Sequence, residues 1–197
     1  MKYNIKKVSA IDWSEIEKAY IKNYRWEKGG YEPETFAQAV VYNGGIAAKM
    51  TCFESSPKAT YKNFYDDVYK DSCMEFFFAM EKGGTYLNCE MNSLGTCLIG
   101  VGTERNGRKK LNEITDIPEI IAVVGDGVWT VEVYFSKELL EAVFGKFSLE
   151  KGKVIYGNFY KCGDETAVTH YGMWSLVDVE KPDFHRPEFF GELIIGG

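Results

Sequence analysis

Hydrophobic and polar positions alternate with a period of two along much of this chain, most plainly over 71–92, D-S-C-M-E-F-F-F-A-M, E-K-G-G, T-Y-L-N-C-E-M-N. Successive side chains of a strand point to opposite faces, so each half of the stretch sorts by parity. Met74, Phe76, Phe78 and Met80 share one face, and Cys73, Glu75, Phe77 and Ala79 share the other. In the second half Leu87, Cys89 and Met91 oppose Tyr86, Asn88, Glu90 and Asn92. With Lys82-Gly83-Gly84 between them, the halves predict a β-hairpin. One face of that hairpin is apolar. The other carries amides, a carboxylate and a phenol on its second strand.

The rest of the chain continues in the same manner. Segments 36–42 and 46–54 flank Asn43-Gly44-Gly45, and segments 120–124 and 128–135 flank Gly125-Asp126-Gly127, which predicts two further hairpins. Strands are also expected at 96–103, 154–161, 168–176 and 191–195. Gly100 and Gly102 leave room above their strand, and Arg108-Lys109-Lys110 reads as a solvated hairpin tip. A single helix is predicted over 137–144, capped by Ser136 and stopped by Gly145. Near the start, a short helical turn over 13–18, capped by Asp12 or Ser14, precedes a strand. Residues 58–70 hold Tyr61, Phe64, Tyr65 and Tyr69 without a period, either packed over a sandwich edge or forming a binding wall. About ten short strands, glycine-marked turns and one short helix predict an all-β fold, an antiparallel β-sandwich of jelly-roll or immunoglobulin-like type.

A length of 197 residues suits one domain over 1–197, with 1–34 as an N-terminal segment packed on it. The net charge of -6 argues against nucleic acid as a partner, because phosphate binding needs a basic stripe. Four of the five cysteines fall inside predicted strands, which favours buried free thiols over a secreted disulfide framework. No apolar run has the length of a signal peptide or a membrane span, so no membrane partner and a cytoplasmic location are expected.

Several groups of residues suggest chemistry. Asn88-x-Glu90-x-Asn92 beside Tyr86 offers donors, acceptors and an aromatic plane together, the mixture that a sugar demands, although an ordinary solvated strand face gives the same pattern. Asp71, Glu75 and Glu90 could approach one another across the hairpin as the carboxylate pair of a glycoside hydrolase. His170, His185 and Cys162 lack metal-ligand spacing, so no metal site is expected. The run 181–191, K-P-D-F-H-R-P-E-F-F-G, is held extended by its prolines and reads as a rigid loop across one end of the sandwich. In the plainest reading of that loop, Phe189 and Phe190 plug the core and Arg186 neutralises a nearby acid.

V-Y-K-D-S-C-M-E-F-F, Y-L-N-C-E-M-N-S-L-G-T, G-N-F-Y-K-C-G-D-E-T, H-Y-G-M-W-S and P-D-F-H-R-P-E-F-F-G-E-L follow one another between about Trp26 and Ile195. This succession resembles carbohydrate-binding module family 9, and more narrowly its stand-alone bacterial members. The resemblance implies a β-sandwich that grips the terminal sugars of plant polysaccharides such as xylan between two aromatic rings, with carboxylates and amides on the hydroxyls. It implies that Glu75 of D-S-x-x-E is the site glutamate, that Phe184 is one clamping ring, and that Asn158 and Tyr160 supply polar contacts. The second clamping ring is expected just before Asp71, where this chain has Val68 with Tyr69 and Tyr65 as neighbours. Trp174 reads as structural.

The expected ligand site is therefore Glu75, Asn88, Glu90, Asn158, Tyr160, Phe184, His185, Arg186 and Tyr69. The expected role is non-catalytic binding of an oligo- or polysaccharide in support of polysaccharide breakdown. No cofactor is expected, with a structural calcium left open. Two alternatives stand beside this: a glycan-processing enzyme using Glu75 or Glu90 with His185, and a protein-interaction scaffold.

Overall fold

The computed structural model describes residues 1–26 and 29–196. In chain order the strands are β1 (Lys2–Val8), β2 (Ala19–Ile21), β3 (Asn23–Tyr24), β4 (Thr35–Tyr42), β5 (Gly45–Cys52), β6 (Cys73–Ala79) and β7 (Tyr86–Asn92). They continue with β8 (Cys97–Gly102), β9 (Lys109–Lys110), β10 (Ile120–Val124) and β11 (Trp129–Phe135). Helix α1 (Lys137–Phe144) follows, then β12 (Val154–Gly163), β13 (His170–Met173) and β14 (Gly191–Ile195).

The strands form two facing leaves. One leaf runs β14-β12-β6-β7-β8-β9, with β13 along β12 and β3 along β13. The other runs β10-β11-β5-β4, with β2 along β4. Residues Lys2–Ile5 of β1 pair with β14 and residues Lys6–Val8 pair with β4, so one strand passes from leaf to leaf and joins them into a curled sheet. Both of these pairings are parallel, whereas the other strand pairs run antiparallel. The expected all-β sandwich with one short helix is the observed architecture, with β1 as the departure from a purely antiparallel plan. The sequence pattern predicts no strand before residue 19. Lys2–Val8 nonetheless forms one, and it sits between the leaves' sheets rather than on their surface.

Local chemistry sets the turns and caps. Asn43 and Gly44 both have positive φ, +46° and +77°, the pair of left-handed residues that a tight two-residue hairpin turn requires. Ser136 Oγ accepts a hydrogen bond from Leu139 N at 3.2 Å and opens α1, and Gly145, with φ +70°, ends it. The helical turn expected over 13–18 is a shorter 3₁₀ turn at Trp13–Glu15, capped by Asp12, whose Oδ1 accepts from Ser14 N at 3.0 Å.

Alternation then assigns the faces. Met74, Phe76 and Phe78 of β6 point between the leaves with Leu87, Cys89 and Met91 of β7 and meet Trp129, Val131 and Phe135 of β11. Phe76 stacks on Phe78 and on Phe159, each at 4.7 Å between ring centres. Trp174 lies in this core as well and packs over Gly191, where any Cβ would lie 2.4 Å from its ring. On the far side of the same strands Phe77, Ala79, Tyr86 and Tyr160 form a second apolar cluster, covered by Phe184, Phe189 and Phe190 of the C-terminal loop. The β6–β7 hairpin is thus buried on both faces, and its outer face becomes the floor of a covered site.

This division sets the cost of truncation. Phe76→Ala empties a fully enclosed position and is expected to cost about 3–5 kcal/mol. Phe190→Ala removes a half-buried ring and is expected to cost under about 2 kcal/mol. Urea denaturation of the two variants checks the order. Equal losses would show that the C-terminal loop is as much a part of the core as β6.

Candidate saccharide site

Over the outer face of β6, β7 and β12 lies a cavity of about 450 Å³, within the range of small-molecule sites. Its floor comes from strand register. Glu75 stands directly opposite Glu90 on β7 and opposite Tyr160 on β12. Facing residues of neighbouring strands have Cβ atoms about 5 Å apart, so the two carboxylates lie side by side. Both are almost wholly enclosed, at 2% and 5% exposure.

The hydrogen bonds around the carboxylates follow a chain. Arg108 Nε donates to Asn88 Oδ1 at 2.8 Å, and Asn88 Nδ2 donates to Glu90 Oε1 at 2.9 Å. Arg108 also donates from Nη2 to the carbonyls of Tyr86 (2.9 Å) and Gly100 (3.2 Å), and its guanidinium lies 4.0 Å from the centre of the Tyr86 ring. On the other side Cys162 Sγ donates to Glu75 Oε1 at 2.9 Å. Among the described residues no Lys or Arg nitrogen comes within 4.0 Å of either carboxylate.

Charge is therefore costly here. Burial, the Cys162 thiol and the facing Glu90 hold the Glu75 carboxyl well above the usual carboxylate range. Burial raises Glu90 to about 7, although the Asn88 amide and Arg108 pull the other way. Two carboxyls this close lose their protons as a pair. His185 moves in the opposite direction, down to about 3, because it is buried and faces Arg108 and Arg105. It is a neutral imidazole at neutral pH, hydrogen-bonded through Nδ1 to Tyr86 Oη at 2.9 Å.

The walls are aromatic. Phe184 stacks on Tyr160 with ring centres 4.1 Å apart and planes 15° from parallel, and Tyr171 meets its edge at 6.1 Å. Tyr65 and Tyr69 come from the loop 58–70. Tyr65 stands over β8, where its backbone N–H donates to Cys97 O at 2.9 Å. Phe184 stands over β12, three strand spacings away, so the two supports are roughly 14 Å apart with Glu75 and Glu90 between them. Asp71 fixes the loop. Its Oδ2 accepts from Thr60 N, Tyr61 N and Asn92 Nδ2 at 2.8–3.0 Å, so Asp71 is an anchor for a wall and not a partner of Glu75.

Six of the nine residues expected at the site line this cavity: Tyr69, Glu75, Asn88, Glu90, Phe184 and His185. The other three do not. Asn158 is fully buried, with Nδ2 donating to Ser175 O at 2.7 Å and Oδ1 accepting from Ser175 N at 2.8 Å, so its amide ties β12 to the chain after β13. Tyr160 is fully buried beneath Phe184 and donates its hydroxyl to Phe184 O at 3.2 Å; it supports the wall from behind. Arg186 turns away and pairs with Glu188 at 3.1 Å and Asp183 at 3.8 Å, its neighbours along the loop, rather than with Glu75 or Glu90.

Sequence reasoning missed the two arginines of the cavity, Arg105 and Arg108. The expected solvated tip at 108–110 is corrected at its first residue, because Arg108 folds back over the strand. The signal was present in the glycines. An added Cβ at Gly100 would lie 2.8 Å from Asn88 Oδ1 and 3.3 Å from Arg108 Nε, and one at Gly102 would lie 3.3 Å from Arg108 Cγ. The room above those glycines is occupied by Arg108. Among the described residues, Cys73, Glu75 and Cys162 are the group whose ligand atoms come close enough to share an ion. Their thiols do not suit calcium, which takes six to eight oxygens.

A β-sandwich with a cavity of this size, floored by hydrogen-bonding side chains and walled by aromatic rings, has the make-up of a saccharide-binding module. The sequence pattern of carbohydrate-binding family 9 matches residues 6–195, and the chain belongs to that family. No curated protein matches the chain. Among solved structures it is similar to a candidate carbohydrate-binding protein from Bacteroides uniformis ATCC 8492, with 26% identity, TM-score 0.82 and 98% of each chain covered. It shares its fold with a family 9 carbohydrate-binding module from Caldicellulosiruptor kristjanssonii solved with cellotriose, at 9% identity and TM-score 0.72, covering all of this chain and 94% of that one. A complex of a family 9 module from the same organism with glucose gives 11% identity and TM-score 0.70, covering all of this chain and 96% of that one.

The raised carboxyls make stability depend on pH. A carboxyl whose pKa is higher folded than unfolded binds its proton more tightly in the native state, so its contribution is present below the unfolded value and is lost as pH rises through the folded one. His185, lowered by folding, withdraws stability only as pH falls below its unfolded value of 6.5. Between about pH 6.5 and about pH 8 the raised Glu75–Glu90 pair sets the direction, with Asp164, also raised by burial, acting in the same sense, and melting temperature is expected to fall as pH rises. Glu90→Gln is expected to flatten that slope. A wild-type melting temperature that rises over the interval would contradict the burial of the pair.

Proposed function

We propose that this cavity is a non-catalytic binding site for the end of a plant-type polysaccharide, or for an oligosaccharide released from one, and that the protein serves polysaccharide breakdown by holding such sugars. The observation that carries this reading is the pairing of a hydrogen-bonding floor with aromatic walls in one cavity. Asn88, Glu90 and Arg108 present donors and acceptors in a fixed order, matching hydroxyls that both donate and accept. Phe184, held flat against Tyr160, offers a ring to the C–H face of a sugar, and Tyr65, Tyr69 and Tyr171 enclose it. The cellotriose and glucose bound by the Caldicellulosiruptor modules support glucose-type sugars as the first ligands to try.

The placement of the carboxyls favours holding over hydrolysis. Glycosidases set their two carboxyls on either side of the scissile bond. Glu75 and Glu90 sit side by side on neighbouring strands and reach a ligand from the same side. His185, neutral and hydrogen-bonded to Tyr86, is not in the imidazolium form that a general acid needs near neutral pH.

Calorimetry with glucose and cellotriose, combined with an assay for new reducing ends, tests the proposal. Binding heat is expected without new reducing ends, at micromolar or weaker affinity. Phe184→Ala is expected to weaken binding by about 1–3 kcal/mol, the scale of a lost aromatic contact. Asn88→Ala is expected to weaken it too, since it breaks the link between Arg108 and Glu90. Product formation would overturn the non-catalytic reading, and unchanged affinity in both variants would move the sugar out of this cavity.

A further inference from the structure

We propose that Cys73, Cys162 and Glu75 form a binding site for a single thiophilic divalent cation, of the zinc or cadmium kind, set into the floor of the cavity. Strand register makes the site. Cys73 of β6 and Cys162 of β12 face each other directly, and Glu75 lies two residues along β6 on the same face as Cys73. The two sulfurs and a carboxylate oxygen of Glu75 all lie within 4.8 Å of one another. A tetrahedral zinc ion holds sulfur at about 2.3 Å and carboxylate oxygen at about 2.0–2.2 Å, which places such ligand atoms roughly 3.5–3.8 Å apart. Cys162 Sγ and Glu75 Oε1 stand at 2.9 Å and need to part by about half an ångström or a little more to admit the ion.

Three protein ligands leave a fourth position. Cys162 and Glu75 line the cavity while Cys73 lies behind them, so the open position faces the cavity, which is also the entry path. Charge favours occupancy. Glu75 and Glu90 are enclosed side by side, Arg105 pairs with Asp183, and the buried Lys161 ammonium, whose charge acts on Cys73, is paired with Glu54 at 3.6 Å. A divalent ion takes the place of the proton that Cys162 shares with Glu75. Cys73 and Cys162 each lose their S–H proton to solvent, both pass to the ion as thiolates, and no electron is transferred. Two soft sulfur donors select zinc or cadmium over magnesium or calcium. The site stands independently of the saccharide reading, and its test uses no sugar.

The test is titration of the reduced, metal-free chain with cadmium, followed by the thiolate-to-cadmium charge-transfer absorption in the ultraviolet and by proton release. Absorption is expected to rise to a sharp break at one ion per chain, with release of about two protons, or more where Glu75 begins protonated. Cys73→Ser and Cys162→Ser should each abolish the break, whereas Cys52→Ala, on β5 of the opposite leaf, should keep it. Glu75→Gln leaves both thiols in place. It should retain the band but lose affinity by about tenfold or more, since even an outer partner of a metal ligand is worth that much. This variant keeps the proposal testable if either serine variant fails to fold. Absence of a break in the wild-type chain would overturn the proposal. So would a break that survives both serine replacements, or full affinity in Glu75→Gln.

Discussion

The site depends on one constraint, the enclosure of two carboxyls directly opposite each other on neighbouring strands. Glu75 and Glu90 are placed by the β6–β7 register, and nothing short of shifting that register separates them. Both faces of the hairpin are covered, so a slip by one residue would drive Phe76 and Phe78 out of the core and the carboxyls into it. The apolar side of β6 thus secures the polar side, and core packing preserves the geometry of the cavity floor.

The surroundings answer that constraint in different ways. Arg108 reaches Glu90 only through Asn88, so its charge acts on the carboxyl without a direct pair. Glycine at 100 and 102 is what lets the guanidinium lie down on the strand, in contact with Tyr86. Glu75 has a thiol where Glu90 has an amide, which leaves it the less compensated of the two. Phe184 is held by the ring of Tyr160 and by that residue's hydroxyl, so the wall is positioned before any ligand arrives.

Legibility in the sequence followed contact order. The hairpins, α1 and the inward and outward faces of β6 and β7 were readable because alternation, caps and glycine turns act over a few residues. The strand β1 was not, since K-Y-N-I-K-K-V alternates weakly and owes its place to parallel pairing with β14 and β4, far along the chain. At the cavity, parity and family resemblance pointed to Glu75, Asn88, Glu90, Phe184, His185 and Tyr69, which line it. Asn158 and Tyr160 had the right strand, but the C-terminal loop covers them, and parity cannot see a cover. Arg186 lost to its own neighbours Asp183 and Glu188, while Arg108 was hidden in what reads as a charged turn. Cys73 and Cys162 lie far apart in sequence, and only the β6–β12 register brings them together.

The central claim is that a saccharide end enters between Phe184 and the tyrosines of the 58–70 loop and rests on the Asn88–Glu90–Arg108 floor. A crystal of the protein grown with cellotriose tests it most directly. A sugar ring is expected over Glu75 and Glu90, with Phe184 against its C–H face and Asn88 or Arg108 within hydrogen-bond distance of its hydroxyls. Cellotriose bound in the depression between Tyr31, Glu54 and Thr166 instead, with the β6–β7 cavity empty, would contradict it.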